Sequence, residues 1–529
     1  MNLENSSQFP WLTLVTLLPL LGALLLTAVP RVHEGLLKGL ALGWSLIVFV
    51  VSLPIYFKFD PSNAGYQLTE LHEWIPAIGV QYALGVDGIS LWLVMLSTFL
   101  TPIILLGSWT SIETRVKEFL ICFLLLETAM LGALVSLDLF LFYIFWELML
   151  IPMYLLIGVW GGTNRIAATI KFFLMTAVGS LLMLVAMFYI YQRRDGGPSF
   201  LLQDYLTLSL TLTEQLYLFG AFALAFAIKV PMVPFHTWLP RAHTEAPTAG
   251  SVVLAGVLLK MGTYGFVRFA MPLFPDATLV ATPYIAGLAT VGIVYGALLA
   301  LAQSDVKKLV AYSSVSHLGF VMLGLAAMST QGVTGAMLQM LNHGISTGAL
   351  FLLVGCLYER RHTRQIADFG GITQVMPWFA VMFLIVTMSS IGLPGTNGFV
   401  GEFLVLSGTF LADGPWDLRW YVAVAATGVI LGAFYMLWMF QRVMFGPLKN
   451  EKNKKLTDLN LREWVVLTPL IVLIFVMGIK PQFIIDRMEP SIEAFRKVAT
   501  TSRLPADDAE GRARIAEIRQ RKTNAAEAK

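Results

Sequence analysis

Long apolar runs alternate with short polar connectors along almost the whole chain. A helix needs about 20 apolar residues to cross a bilayer, and fourteen runs of that kind can be placed. The pattern therefore predicts an all-α, polytopic membrane protein with about 14 transmembrane helices. They are numbered here as spans 1 to 14 and are centred near Leu20, Phe49, Thr98, Ala129, Leu150, Leu181, Ala227, Leu258, Thr290, Phe320, Leu350, Ser389, Leu431 and Val472.

Two of these spans are interrupted by residues that break helices. Span 7 contains Pro231 and Pro234 and ends at Pro240, in the stretch FAIKVPMVPFHTWLP (226–240). Span 12 reads SSIGLPGTNGF (389–399), with three glycines and a proline in its middle. Non-helical backbone at membrane depth is stable only where protein or water satisfies the freed polar groups. Both breaks therefore predict a polar, hydrated interior.

The two breaks lie five spans apart, which indicates an internal repeat. Spans 4–8 would correspond to spans 9–13, and because five is odd, corresponding helices would run in opposite directions, as in inverted repeats. The predicted organisation is helices 1–3 in residues 1–115, a first five-helix repeat in 116–270 and a second, inverted repeat in 276–446. A loop and helix 14 follow in 447–480, and an extramembrane tail in 481–529.

The distribution of basic residues predicts the orientation in the membrane. With the N-terminus outside, the inside connectors carry 18 Lys and Arg residues and the outside connectors 5. This is the asymmetry that the positive-inside rule describes. The segment from Lys480 onward would then lie outside although it carries eleven basic residues. We interpret it as an amphipathic or disordered extension that lies on a neighbouring subunit.

Composition supports a membrane class and excludes several others. Hydrophobic residues make up 57% of the chain and charged residues 13%, about half the share in soluble domains. The net charge of +3 comes without a basic stripe interleaved with aromatic residues, so nucleic acid is not an expected partner. The two cysteines, Cys122 and Cys356, form no metal-binding spacing. Without a nucleotide-binding or hydrolase motif, the chain is expected to hold no cofactor of its own.

Ionisable side chains within the spans are the strongest chemical signal. A charge inside a span costs about 2.5–3.5 kcal/mol even on the mild insertion scale. Six of them flank the two broken helices and predict a proton path: Glu147, Lys229, Lys260, His317, His343 and Glu402. Three further candidates, Glu127, His236 and His243, are left open between a structural and a functional role.

Each of the six residues fits a step of proton transfer. Glu147 and Lys229 are predicted to pair, because each keeps the other ionised and separation favours the neutral forms, which moves a proton. Lys260 would be the central site, and His317 and His343 suit relay duty because imidazole titrates near neutral pH. Glu402, just after the second break, would be the terminal site.

Several segments resemble the antiporter-like membrane subunits of respiratory complex I. They are GVDGISLWLVMLST (85–98), FWELMLIPMYLLIGVWGG (145–162), the stretch 227–268, QSDVKKLVAYSSVSHLGFVMLG (303–324), MLNHGISTGALFLLVGCLYERRHTR (340–364) and IGLPGTNGFVGEF (391–403). The resemblance covers residues from about 80 to about 445. Glu402 stands where the sibling subunits L and N and sodium/proton antiporter chains usually have Lys, which is typical of one branch of the family.

The resemblance implies an inverted-repeat fold of fourteen helices and the same six residues in the same roles. It also implies a proton-translocating subunit of an NAD(P)H:quinone oxidoreductase that does no redox chemistry itself. NAD(P)H or ferredoxin, FMN, iron–sulfur clusters and quinone would then be used by other subunits. Expected partners are subunits of the L and N type and the lipid bilayer. A bacterial inner membrane is the expected location, with thylakoid and mitochondrial membranes left open.

Two alternatives stay open at this stage. The chain could be a subunit of a multisubunit sodium/proton antiporter or of a membrane-bound hydrogenase, which would share the fold and differ in partners. It could also be a structural anchor for an oxidoreductase arm, with silent charges in its spans.

Overall fold

The computed structural model describes residues 9–527, with side chains up to residue 521. Within that range, thirteen helices are long and apolar enough to cross a membrane, and they coincide with thirteen of the fourteen predicted spans. Span 12 is divided into two shorter helices. The prediction of an all-α polytopic membrane protein is therefore confirmed.

The first seven spans form nine helices, and one further short helix lies in the connector between spans 6 and 7. In chain order they are α1 (Trp11–Ala28), α2 (Glu34–Lys58), α3 (Gly88–Gly107), α4 (Val116–Val135), α5 (Leu139–Leu148), α6 (Leu150–Trp160), α7 (Arg165–Gln192), α8 (Leu202–Tyr205), α9 (Leu212–Lys229) and α10 (Leu239–Glu245). Span 5 is the pair α5 and α6, and span 7 is the pair α9 and α10.

Span 8 is one continuous but irregular helix, Thr248–Leu273. It consists of α11 (Thr248–Val253), α12 (Leu259–Gly265) and α13 (Met271–Leu273), joined by two π-helical segments, Leu254–Leu258 and Phe266–Ala270. Every residue from 249 to 273 is buried. Because π-helical turns lengthen the hydrogen-bond spacing, they leave carbonyl groups free for side chains, and they are frequent at functional sites.

The second half of the chain continues with spans 9–14 and a helical tail. The helices are α14 (Pro275–Leu301), α15 (Val306–Ala326), α16 (Thr330–Arg361), α17 (Pro377–Ser390), α18 (Asn397–Phe410), α19 (Arg419–Met444), α20 (Leu461–Ile479), α21 (Gln482–Thr500) and α22 (Ala509–Glu527). Span 8 and the spans formed by α15 and α16 are almost entirely buried, whereas α2, α7 and α19 leave most of their surface free. The polar residues of the interior are thus carried mainly by the central helices.

Both predicted breaks are present. The helix of span 7 ends at Lys229, and a turn through Pro231 and Pro234 leads into α10. In span 12, α17 ends at Ser390, and six residues that include Gly392 and Gly395 at positive φ separate it from α18. Glycine tolerates this left-handed backbone without the Cβ clash that other residues meet.

A two-stranded antiparallel sheet precedes α3 and was missed by the hydropathy pattern. Its strands are β1 (Gln67–Ile75) and β2 (Val80–Val86), with Glu70 opposite Leu84 and His72 opposite Tyr82. Gly79 closes the turn at φ +71°, where a Cβ atom would lie 2.1 Å from the carbonyl oxygen of Pro198. The polar residues of this segment correctly predict that it lies outside the spans, but on a hydropathy scale they give no indication of strands.

A buried ion pair joins the start of α3 to the end of span 8. Arg268 Nη2 lies 2.6 Å from Asp87 Oδ1, and the same carboxylate caps α3 through the N–H groups of Ile89 and Ser90. Burial alone would raise the pKa of Asp87, but the Arg268 charge and these hydrogen bonds hold it below its ordinary value. The pair therefore fixes two spans at one face of the membrane region.

The first helix of the tail packs on this chain itself, and the contact of the tail with a neighbouring subunit stays a prediction. The helix α21 is amphipathic and buries Ile484, Met488 and Ile492 against the spans. The N–H of Gly88 donates to Ser491 Oγ over 2.9 Å. Its apolar face was visible in the sequence, but the surface that receives this face is formed only by the folded spans. Residues 528 and 529 lie outside the described range.

Candidate functional site

Lys260 lies on span 8, among the buried helices. Its side chain has no exposed surface. The amine Nζ donates to the carbonyl oxygen of Ala255, which the π-helical segment Leu254–Leu258 leaves free, and it lies 2.7 Å from Nδ1 of His343 on α16. A proton on either nitrogen is therefore shared across a single hydrogen bond.

His343 and His317 come next in the same line. Their ring centroids are 5.9 Å apart, with His343 on α16 and His317 on α15. Nε2 of His343 is buried and has no hydrogen-bond partner within the described residues. His317 Nδ1 in turn lies 2.8 Å from Oε1 of Glu402 on α18. Four side chains from four spans thus form a line with one gap, between the two rings.

The carboxyl of Glu402 is held by groups from the neighbouring helix and by the break of span 12. Gln339 Nε2 donates to its Oε1 over 3.1 Å. Gly392 leaves space for the other oxygen, because a Cβ atom there would lie only 3.3 Å from Oε2. The broken helix therefore gives Glu402 a polar pocket although the residue is 94% buried.

Asn397 organises this break, and the sequence analysis did not single it out. It is fully buried at the start of α18. Its Oδ1 accepts from Ser389 Oγ at 2.6 Å, from Ser346 Oγ at 3.2 Å and from the N–H of Gly398 at 3.0 Å. The Asn342 amide donates to its carbonyl oxygen at 2.7 Å. Asn397 could have been identified from the sequence as a polar side chain inside the motif of a broken helix.

Glu147 and Lys229 face each other across spans 5 and 7, but they do not form a salt bridge. Their charges interact, yet no ion pair within 4.0 Å joins them among residues 9–527. The Lys229 amine lies 4.9 Å from the centre of the Trp146 ring. Oε1 of Glu147 is buried and has no hydrogen-bond partner among the residues that the structure describes. The structure thus brings the predicted pair together and leaves it open.

Both residues lie beside interruptions of their helices. Lys229 is the last residue of α9, directly before the break. Glu147 lies two residues before Met149, where α5 gives way to α6. Pro152 lacks the N–H that would bond to the carbonyl of Leu148, so span 5 is weakened just beyond Glu147.

The two lysines lie on packed helices without touching. Gly262 of span 8 packs against α9, since a Cβ atom there would lie 2.7 Å from the carbonyl oxygen of Phe226. In the described part of the chain, no hydrogen bond joins Lys229 to Lys260. A proton needs water to pass between them, as expected for buried polar groups that lack direct partners.

A second group of polar residues approaches Lys260 from the face that carries the basic connectors, called the basic face here. A cavity of about 150 Å³ opens there, lined by Glu245, Lys307 and Arg364 among others. His243 lies deeper, fully buried and stacked on Phe351 at 4.7 Å, and both of its ring nitrogens lack partners within the described residues. Its ring is close enough to Lys307 and Lys260 to interact with both charges.

Sequence reasoning left His243 open and did not consider Lys307. The sequence did contain a signal for both residues, because both are ionisable and lie beside broken or capped helix ends. Only the packing of α10 against α15 shows that they line one approach. The other open candidates differ: His236 packs edge-on against Tyr295 near the lateral surface, and Glu127 is buried in α4. No cluster of residues suited to hold a metal ion occurs in residues 9–527.

Comparison with known proteins gives a consistent result. Residues 136–432 match the family described as "NADH:quinone oxidoreductase/Mrp antiporter, TM", and residues 14–136 match "NADH-ubiquinone oxidoreductase chain 4, amino terminus". NADH-quinone oxidoreductase subunit M of Rhodobacter capsulatus is 48% identical, covering 91% of this chain and 95% of that protein. Chain 4 of NADH-ubiquinone oxidoreductase from Marchantia polymorpha is 44% identical, covering 90% and 95%.

Solved structures share the fold. A chain of respiratory complex I from Thermus thermophilus superimposes with a TM-score of 0.83 at 34% identity, covering 93% of this chain and all of that one. A chain of the Mrp complex from Dietzia superimposes with a TM-score of 0.80 at 20% identity, covering 96% of this chain and 55% of that one. At 20% identity, the second likeness concerns the fold alone.

Proposed function

The chain belongs to the NADH:quinone oxidoreductase/Mrp antiporter family of membrane subunits, and on that premise we propose the route by which protons cross it. It is a proton-translocating membrane-arm subunit of an NADH:quinone oxidoreductase, as its relatives named subunit M and chain 4 are subunits of that enzyme. The proposal concerns the residues that carry the protons and the order in which they act.

The contact line from Lys260 to Glu402 carries the proposal. Two of its three steps are hydrogen-bond distances, 2.7 Å to His343 and 2.8 Å from His317 to Glu402, and the 5.9 Å between the two rings is short enough for one bridging water. All four side chains are more than 90% buried. Intramembrane ionisable groups in contact with one another are typical of proton relays.

Protons enter from the basic face, which we take as the inner side of the membrane. The cavity beside Lys307 leads toward Lys260, and so does His243, whose ring nitrogens have no hydrogen-bond partner in the described part of the chain. Lys260 then passes its proton to His343, and the line ends at Glu402, from which the proton leaves toward the opposite face.

The Glu147–Lys229 pair acts as the switch. When Glu147 approaches Lys229, both side chains remain charged, and a positive charge close to span 8 disfavours a second one on Lys260. When the pair is apart, Lys229 loses the counter-charge that stabilises its charged form, and Lys260 can then hold a proton. The break after Lys229 and the weak point at Met149 supply the freedom for this movement.

We also propose the setting of the subunit. Spans 4–8 and 9–13 would be the two inverted repeats, and sibling subunits of the L and N type would flank the chain. NAD(P)H, FMN, iron–sulfur clusters and quinone would be bound by other subunits, whose redox chemistry drives the switch. A bacterial inner membrane with the N-terminus outside agrees with the basic connectors.

The proposed switch is tested with Glu147→Gln in the purified complex reconstituted into liposomes. Glutamine keeps the size of the side chain and removes its charge, so Lys229 loses the partner that controls it. We expect uncoupler-sensitive proton uptake to fall at least tenfold, together with slowed electron transfer to quinone, in a fully assembled complex.

Glu113→Gln provides the control, because Glu113 is an exposed carboxylate in a connector outside the proposed route. If Glu147→Gln pumps and turns over as well as this control, the switch does not exist. The chain would then be an anchor for the redox subunits, with silent charges in its spans.

A further inference from the structure

Glu127 is a buried ionisable group that the proposed route does not use. It lies on α4 with no exposed surface, and neither of its carboxyl oxygens has a hydrogen-bond partner within the described residues. Thr101 of α3 lies beside it, and the hydroxyl of Thr101 donates to the carbonyl of Ser97. The neighbouring hydroxyl of Thr128 is also buried, and residues 9–521 supply it with no hydrogen-bond partner.

Glu127 lies at nearly the same depth as Lys260. The hydroxyl of Tyr264 donates to the carbonyl of Leu134 over 2.7 Å, which fixes span 8 and α4 at one level. Both helices run from the basic face to the opposite face. Seven residues toward the basic face from Leu134 lies Glu127 on α4, and seven residues from Tyr264 lies Val257 on span 8. Each step is about 10 Å along the helix axis. Lys260 is three residues from Val257, or about 5 Å in depth.

The helix α3 connects the two places. Leu100 packs onto Gly256 of the π-helical segment, where a Cβ atom would lie only 2.8 Å from Leu100 Cδ1. The next residue, Thr101, lies beside Glu127. The carboxyl group and the segment whose carbonyl binds Lys260 are thus both in contact with one short stretch of α3.

Lys260 differs from Lys229 because it has no acidic partner. Its amine bonds to a backbone carbonyl and to His343, and no carboxylate forms an ion pair with it in the part of the chain that the structure describes. A proton placed on Lys260 therefore creates a buried positive charge without a counter-charge, which is costly at this depth.

Leaving Glu127 without partners also has a cost. A buried polar group that lacks hydrogen bonds is unfavourable by about 1–3 kcal/mol, and a leucine of similar size would avoid it. Such a group in a folded protein indicates an ordered water or a functional role. Both apply where a carboxyl group lies close to a proton route.

We propose that Glu127 is a proton-binding residue that serves Lys260, an inference that rests on the proposed function. The neutral acid gives its proton through water to the neutral amine of Lys260. The O–H bond of the acid breaks and an N–H bond forms, which leaves a carboxylate and an ammonium at one depth. When Lys260 passes its proton to His343, Glu127 takes up the next proton arriving from the basic face.

The first test compares three substitutions of Glu127 in the reconstituted complex. Glu127→Gln and Glu127→Leu both remove the exchangeable proton, and we expect each to lower proton uptake at least threefold. Glu127→Asp keeps the acid and should retain at least half of the uptake. Infrared spectra of the wild type should contain a deuterium-sensitive carboxylic acid band that Glu127→Gln lacks.

A structural role would give another pattern. In that case Glu127→Gln, which keeps polar atoms of the same shape, would match the wild type in uptake, and the infrared band would remain. That result would overturn the inference.

A second variant decides the question if substitutions of Glu127 prevent assembly. Thr101→Val removes the hydroxyl beside Glu127 without changing its shape, and we expect at least a twofold loss of uptake. Thr98→Val on the same helix is the matched control, since its hydroxyl contacts Ser52 over 2.9 Å instead. Equal uptake in the two variants would overturn the inference.

The outcome for Glu127 can be separated from that for the whole route. Normal uptake in Glu127→Gln together with lost uptake in Glu147→Gln would remove only this inference. Normal uptake in both variants would remove the proposed route as well.

Discussion

Replacing Asn397 by alanine should weaken the break of span 12 by a calculable amount. The side-chain oxygen accepts three hydrogen bonds, from Ser389, Ser346 and the N–H of Gly398. Each such bond contributes about 1 kcal/mol net, so the loss is about 3 kcal/mol. Ser346 and Ser389 keep their mutual hydrogen bond of 2.7 Å in the variant. Neither hydroxyl is therefore left without a partner, and the loss of stability does not exceed this value.

This loss has a thermal and a functional consequence. With about 2.1 cal/mol/K of unfolding entropy per residue, a 529-residue chain has about 1.1 kcal/mol/K in total. A loss of 3 kcal/mol then lowers Tm by about 3 °C. Glu402 follows Asn397 by less than two turns of α18, so its 2.8 Å contact with His317 should loosen. We expect proton uptake to fall at least fivefold.

The assay combines thermal unfolding of the purified complex in detergent with proton uptake in liposomes. Thr396→Ala is the matched control, because its hydroxyl donates only to the nearby carbonyl of Leu393 over 2.7 Å. A Tm and an uptake rate of Asn397→Ala equal to those of this control would show that the three bonds do not hold the break.

Three further predictions concern other parts of the chain. His343→Leu removes the 2.7 Å contact with Lys260, and proton uptake should fall at least tenfold while the complex still assembles, as native gel electrophoresis would show. Burial raises the pKa of Asp138 to about 6, against the lowering effect of backbone N–H groups of α5 and β2. Because the folded state then binds the proton more tightly than the unfolded chain, this carboxyl favours folding at low pH, and the benefit fades between about pH 4 and pH 6. The wild type should therefore gain stability relative to Asp138→Asn as the pH falls, by up to about 3 kcal/mol. Plots of Tm against pH that run parallel for the two proteins would contradict this. Asp87→Asn leaves the charge of Arg268 buried and unpaired and should cost about 3–5 kcal/mol, whereas the double variant with Arg268→Met should recover part of that loss in thermal unfolding.

Most of the fold could be predicted from hydropathy, because a bilayer sets a fixed length for each apolar run. Spans 7 and 12 were identified as broken from their prolines and glycines, since these residues interrupt helices regardless of context. The strands β1 and β2 were missed because a polar segment between two spans gives no signal on that scale. The docking of α21 onto this chain's own spans was not predicted, because an amphipathic face does not specify its partner.

The ionisable residues that lie within apolar runs can be identified from the sequence alone. Charge within an apolar run is expensive wherever it lies, so Glu147, Lys229, Lys260 and Glu402 could be recognised one at a time. Their roles in proton transfer remain a proposal, but their identity needed no coordinates.

Which of these residues meet depends on how the helices pack in the folded chain. Lys260 contacts His343 across 83 positions of sequence, and His317 contacts Glu402 across 85. Glu147 and Lys229 approach each other without forming a salt bridge, a difference of a few ångströms that no spacing could reveal. Hydropathy fixes the depth of a residue along its own helix, whereas contact depends on how each helix is rotated and packed against its neighbours.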